Sequence, residues 1–114
     1  MTATIDGDTF AALRDTTGGE FVRELVDTFL TEAPSMLADL RESLANGEAD
    51  RFRRAAHSLK SNGNTFGALK LAALARAFEL KGLDAEPSRD AAALAALEAE
   101  FARAAAELKT LRNG

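Results

Sequence analysis

Apolar side chains recur every three or four residues along this chain, and polar side chains fill the positions between them. This spacing places the apolar groups on one face of an α-helix, whereas a half-buried β-strand needs strict alternation. No alternating run of β-branched and aromatic residues occurs, and the only prolines are Pro34 and Pro87. The pattern therefore predicts an all-α protein.

Breaks in the pattern divide the chain into five predicted helices. A short helix is expected to begin near Asp8, whose side chain would cap it, and to bury Phe10 and Leu13. Pro34 lies inside the next periodic stretch and predicts a bend near residues 30–34, with the helix continuing beyond it. The four longer predicted helices cover residues 20–45, 48–66, 68–81 and 88–111.

The arrangement of these helices follows from their short connections and their apolar faces. Short connections favour antiparallel neighbours, so the expected fold is an antiparallel up-down four-helix bundle with the short N-terminal helix across one end. The length of 114 residues fits one domain, covering residues 1–114. The side chains expected to turn inward from the first long helix are Phe21, Val22, Leu25, Val26, Phe29, Ala33, Met36, Leu37, Leu40 and Leu44.

Composition and charge exclude several classes of function. The formal net charge of -4 argues against non-specific binding of nucleic acid, which requires a basic surface. The chain has no cysteine, so disulfides and thiolate chemistry are excluded. It has no run of about 18 apolar residues and no basic and apolar leader in MTATIDGDTF, which predicts a cytoplasmic protein without a membrane partner.

The single histidine, His57, lies in a stretch from residue 51 to residue 78 that contains basic residues but no Asp or Glu. Each helical residue advances about 100° around the axis, so His57 falls about 160° from Leu59 and Lys60 falls about 100° from it. If Leu59 faces the core, His57 faces solvent. The residues predicted to be buried with Leu59 are Phe52, Ala55, Ala56, Gly63 and Phe66.

Few chemical roles suit an exposed histidine on a basic face. A metal site is disfavoured because the stretch offers one ligand, and a hydrolytic triad is disfavoured because no carboxylate lies within six residues of His57. A carboxylate from another helix and an incidental surface histidine both stay open. The remaining active role is phosphoryl exchange, since a neutral imidazole nitrogen can attack phosphorus and Lys60 can offset the added charge.

The stretch RRAAHSLKSNGNTFGA resembles the signature of histidine-containing phosphotransfer (HPt) domains. The shared residues are His57, Leu59 and Lys60, followed by Gly67 and Ala68 ten and eleven residues after the histidine. The preceding FLTEAPSMLADLRESLANGEADRFRRAAH resembles the family's second helix, with its proline, and the turn into the histidine helix. The resemblance spans most of the chain and implies a monomeric four-helix bundle that acts in phosphorelays.

By this resemblance, His57 is the phosphoacceptor, through Nε2, and Lys60 compensates the charge of the phosphoryl group. The implied partners are response-regulator receiver domains, including those of hybrid histidine kinases. The implied Mg²⁺ belongs to the receiver, and no cofactor is expected on this chain. No G-x-x-x-x-G-K-[ST] motif occurs, so the chain is not expected to phosphorylate itself from ATP.

Contacts with a receiver are expected from residues around the histidine, namely Arg53, Arg54, Ser61 and Asn64. The family commonly has a small residue where this chain has Asn64, whose side chain either crowds a docking receiver or hydrogen-bonds a phosphoryl oxygen. An adaptor that binds a receiver or kinase without accepting phosphate is the alternative, although it would need neither His57 nor Lys60. The initial Met suggests a free-standing module, with a domain excised from a larger kinase as the alternative.

Overall fold

The computed structural model describes residues 4–83 and 87–113. Within these ranges the chain is all-α and forms no strand, as the periodicity predicted. The connection between the last two helices lies partly outside the described residues. The helices are α1 (Gly7–Thr17), α2 (Gly19–Asn46), α3 (Ala49–Phe66), α4 (Leu69–Lys81) and α5 (Pro87–Asn113).

The predicted boundaries agree with the structure to within about two residues, with one correction at the start of α1. Asp6, rather than Asp8, caps this helix: its carboxylate accepts hydrogen bonds from the Thr9 backbone N–H, at 3.0 Å, and from the Thr9 hydroxyl. These bonds, the hydroxyl first, lower the pKa of Asp6. A capping residue stands before the first helical residue, and Asp8 lies inside the first turn.

Two aromatic clusters hold the helices together. The Phe29 ring of α2 stacks on Phe66 of α3, with centroids 5.2 Å apart, and meets Phe101 of α5 edge-on at 5.9 Å. Phe52 of α3 meets Phe78 of α4 edge-on at 5.1 Å. The core therefore draws side chains from both neighbours of α3 and from α5.

The predicted inward face of α2 is correct except at its first turn. Val22, Val26 and Phe29 are buried, but Phe21 is 50% exposed. Phe21 lies about 100° from Val22 around the helix, outside the sector that packs on the core. The three-and-four spacing alone placed Phe21 on the buried face, whereas its angle around the helix axis places it outside that face.

Each of the four longer helices packs on two of the other longer helices. α3 contacts α2 and α4, α5 also contacts α2 and α4, and the short α1 lies against α2 and α3. α2 continues through Pro34, as expected, and ends at Gly47 in a left-handed conformation. None of the helices formed by residues 4–83 and 87–113 is both long and apolar enough to cross a membrane.

Candidate functional site

The α3 helix has a buried face and an exposed face, and His57 lies on the exposed one. The buried residues are those that the helical geometry predicted: Phe52, Ala55, Ala56, Leu59, Gly63 and Phe66. The His57 side chain is 62% exposed. Burial of the opposite face fixes the rotation of the helix, so the outward position of the imidazole follows from hydrophobic packing.

A carboxylate from α4 contacts both His57 and Lys60. Glu79 Oε2 lies against His57 Nδ1, and Lys60 Nζ donates a hydrogen bond to Glu79 Oε1 at 2.7 Å. The Glu79 and Lys60 side chains are each 22% exposed, so their pair is partly shielded from water while the histidine is open to it. One carboxylate thus links the two residues that the sequence singled out.

The electrostatics of Glu79 determine which ring nitrogen of His57 is free. The hydrogen bond from Lys60 is the largest influence and lowers the pKa of Glu79; the contact with His57 also lowers it, while partial burial raises it. An ionised carboxylate only accepts hydrogen bonds, so Nδ1 is assigned as the N–H donor of the pair. In that tautomer the lone pair is on Nε2.

Close packing of α3 on α4 brings Glu79 to the histidine. Gly63 makes the approach possible, because a Cβ at this position would lie 3.2 Å from the Ala68 carbonyl oxygen and from the Ala72 Cβ. Gly67 ends α3 with a φ of 84°, a backbone conformation that residues other than glycine rarely adopt. The chain therefore turns back sharply, and α4 packs along α3 so that Glu79 reaches the edge of the exposed face.

The surface beside His57 forms a shallow hollow of about 440 Å³ lined by Arg53, Arg54, His57, Ser58 and Glu79. It brings together three of the predicted site residues, His57, Arg53 and Arg54. Ser61 and Asn64 are exposed further along α3 and do not line it. The hollow is open to solvent and combines two arginines with the imidazole, which suits a transient anionic group.

Glu79 is the site residue that the sequence analysis missed. The acid-free stretch ends at residue 78, and the carboxylate comes from the next residue, 22 positions beyond His57. A signal was available: His57 and Glu79 each lie eleven residues from Ala68, where α3 and α4 meet. Residues equally distant from a tight helical turn lie at about the same level of the hairpin, although the rotation of each helix decides whether their side chains meet. Among residues 4–83 and 87–113, no group of three or more His, Asp or Glu side chains could hold a metal ion.

Comparison with known protein families shows which family this chain matches. The family described as the Hpt domain matches residues 24–111, which include all of the site residues. The chain belongs to the Hpt domain family. Membership places this Hpt domain in histidine phosphotransfer within two-component signalling, where such domains interact with the receiver domains of phosphorelays.

A solved structure is similar to this Hpt domain over nearly its whole length. The crystal structure of histidine-containing phosphotransfer protein B (HptB) from Pseudomonas aeruginosa PAO1 matches with a TM-score of 0.84 and 26% sequence identity. The match covers 99% of this chain and 97% of HptB. No curated protein sequence matches this chain significantly.

Proposed function

We propose that this Hpt domain carries a phosphoryl group on Nε2 of His57 between the aspartates of receiver domains. The observation that supports the proposal is the outward imidazole whose Nδ1 is engaged by Glu79, because this leaves Nε2 as the nucleophilic nitrogen. The proposed carrier is monomeric and cytoplasmic, and residues 1–114 form one domain. Its helices form an antiparallel up-down four-helix bundle with α1 as the extra helix, a topology supported by the ring of contacts among α2, α3, α4 and α5.

The transfer step needs little from this chain beyond a positioned nucleophile. The Nε2 lone pair attacks the phosphorus of an aspartyl phosphate, the N–P bond forms, the acyl P–O bond breaks, and the aspartate carboxylate leaves with the bonding electrons. The ring keeps its Nδ1 proton and becomes an imidazolium that carries the phosphoryl group. The reverse step returns the phosphoryl group to an aspartate and restores the neutral ring.

Glu79 and Lys60 assist this cycle in different ways. The Glu79 carboxylate beside Nδ1 stabilises the positive charge that the ring acquires when Nε2 is phosphorylated, in the manner of preorganised electrostatic stabilisation. Lys60 Nζ holds the Glu79 carboxylate in place through a hydrogen bond of 2.7 Å and offsets part of the charge of the phosphoryl group. Glu79 is thus a positioning residue that acts through the ring.

The receiver supplies the rest of the apparatus. Phosphoryl transfer depends mainly on alignment and charge compensation, and Mg²⁺ together with the acidic residues of the receiver provides both. On this chain, Arg53, Arg54, Ser61 and Asn64 surround His57 on the exposed face and form the docking surface. Receivers of response regulators and of hybrid histidine kinases fit this role, and the chain has no ATP-dependent kinase activity of its own.

The test is phosphotransfer from a phosphorylated receiver in the presence of Mg²⁺. Wild-type protein should gain acid-labile phosphate, His57→Gln should gain none, and Glu79→Gln should gain it roughly tenfold more slowly, since one charge-assisted contact is lost. Because His57 is exposed, His57→Gln should keep the helicity and melting temperature of the wild type.

Two results would contradict the proposal. If wild type and His57→Gln take up equal phosphate, His57 is not the acceptor. If the wild type binds the phosphorylated receiver but gains no phosphate from any receiver of its source organism, the adaptor alternative is correct instead.

A further inference from the structure

Arg54 is a cation beside His57 without an ion pair to any described residue. It lies three residues before His57 on α3, is exposed, and lines the hollow that contains the imidazole. Arg51, one turn earlier, differs sharply: its guanidinium contacts Asp39 and Glu42, each at 2.6 Å, and Glu48 at 3.6 Å. Arg51 is occupied by acidic partners, whereas the guanidinium of Arg54 is available to a ligand.

The other two cations near His57 lie on the α4 side. Lys60 donates to Glu79 at 2.7 Å. Arg53 packs on the end of α4, where a Cβ at Gly82 would lie 2.8 Å from its Nη2 atom. Lys60 is therefore held by an ion pair, whereas Arg53 has no ion pair to a described residue but lies on the α4 side of His57.

The orientation of the ring directs Nε2 away from these two cations. Nδ1 contacts Glu79 on α4, and the two nitrogens of an imidazole lie on different edges of the ring. Arg54 lies on the side of His57 that faces α2, because it also lines a second hollow of about 360 Å³ together with Met36 and Asp39 of α2. A group attached to Nε2 therefore has Arg54 on the side opposite Glu79.

Charge balance gives Arg54 a role. A phosphoryl group brings nearly two negative charges, and the phosphorylated ring brings one positive charge. Lys60 offsets part of this charge, but its pairing with Glu79 limits that contribution, so the phosphorylated site retains excess negative charge. We propose that the Arg54 guanidinium binds the phosphoryl oxygens on Nε2 of His57 and neutralises this excess, an inference that rests on the proposed function of His57. Its fork of N–H donors fits two oxygens of one phosphoryl group.

The test uses phosphoramidate, a small-molecule donor that has no protein surface with which to dock. Nε2 of His57 attacks the phosphorus and forms a new N–P bond. The N–P bond to the ammonium group of phosphoramidate breaks, and ammonia leaves. We expect Arg54→Gln to react about tenfold more slowly than wild type and Arg54→Lys to recover part of the rate. Arg14→Gln removes the same charge from α1, which lies against the Gly67 end of α3, and should react at the wild-type rate.

A second measurement reports the contact itself. The Arg54 Nε–H resonance should shift in ¹H–¹⁵N spectra when His57 is phosphorylated, and the Arg14 Nε–H resonance should not. This readout does not depend on how Arg54 affects folding. Circular dichroism of each variant verifies that the helices are intact.

The outcomes separate this inference from the proposed function. If Arg54→Gln takes up phosphate from phosphoramidate at the wild-type rate, Arg54 does not contact the phosphoryl group, while His57 remains the acceptor. If Arg54→Gln is slow only with a receiver as donor, Arg54 contacts the partner protein and the inference is wrong. If wild type takes up no phosphate on His57 from either donor, the proposed function itself is overturned.

Discussion

At the scale of single residues, the site depends on a shared carboxylate. Glu79 is half-buried and contacts one ring nitrogen and one ammonium group, so its protonation would remove both interactions at once. The Lys60 hydrogen bond is the main cause of its lowered pKa. A carboxylate whose pKa is lower in the folded state than in the unfolded chain stabilises the fold only while it is ionised.

This linkage predicts how stability changes with pH. The contribution of Glu79 is fully present above its ordinary pKa of 4.5 and is lost as pH falls through the lower pKa of the folded state. The free energy of unfolding of Glu79→Gln should therefore lie below that of wild type at pH 6, and the difference should shrink towards pH 3. Urea denaturation of both proteins between pH 6 and pH 3 measures this difference in the free energy of unfolding.

Glu24→Gln is the matched control for that series, since Glu24 is an exposed carboxylate of α2 without an ion pair to a described residue. Its difference from wild type should stay small and nearly constant with pH. A Glu79→Gln difference that does not change between pH 6 and pH 3 would show that the contact contributes no stability.

At the scale of helices, the α3–α4 pair is the element that builds the site. Its close packing depends on the absence of a side chain at Gly63, next to the Ala68 carbonyl and Ala72. Crowding there forces α4 outward and carries Glu79 away from His57. The geometry of the reactive ring is thus coupled to a packing contact six residues along the same helix.

Gly63→Leu tests this coupling. Overpacking a tight contact costs about 1–3 kcal/mol, so the variant should unfold at lower urea concentration than wild type. The His57 ring resonances should also move towards those of Glu79→Gln. Thr65→Leu places the same side chain at an exposed position of α3 and should change stability by no more than about 0.5 kcal/mol; equal effects of the two substitutions would contradict the packing argument.

Sequence alone predicted much at this scale and missed one essential contact. The burial of Phe52, Leu59 and Phe66 and the exposure of His57 follow from the 100° step of a single helix. The contact between His57 and Glu79 does not, because it also requires the rotation and the spacing of two packed helices. That packing depends on Gly63 and on the turn at Gly67, whose distances to their neighbours are visible only in three dimensions.

At the scale of the whole molecule, a cluster of three rings connects α3, the helix that carries His57, to α2 and α5. Phe29 contacts Phe66 of α3 and Phe101 of α5, so one side chain of α2 links three helices. Phe29 is 2% exposed, whereas Phe21 of the same helix is 50% exposed. These two phenylalanines differ in burial but share their chemistry and their helix.

The pair supplies a direct measure of core packing. Phe29→Ala should destabilise the protein by about 3–5 kcal/mol, because it removes buried apolar contacts and leaves a cavity. Phe21→Ala should change stability by no more than about 0.5 kcal/mol. Thermal and urea unfolding of both variants measure these changes in stability. Comparable losses of stability would show that Phe21 also packs against the core.

The two faces of α3 have a consequence for how such proteins diversify. Its inner face is committed to the core, whereas Arg54, Ser61 and Asn64 on its outer face are exposed to solvent. Stability therefore constrains the outer face less than the interior, and the partner protein constrains it instead. After gene duplication, two copies can therefore drift apart in the signals they transmit while they retain one architecture.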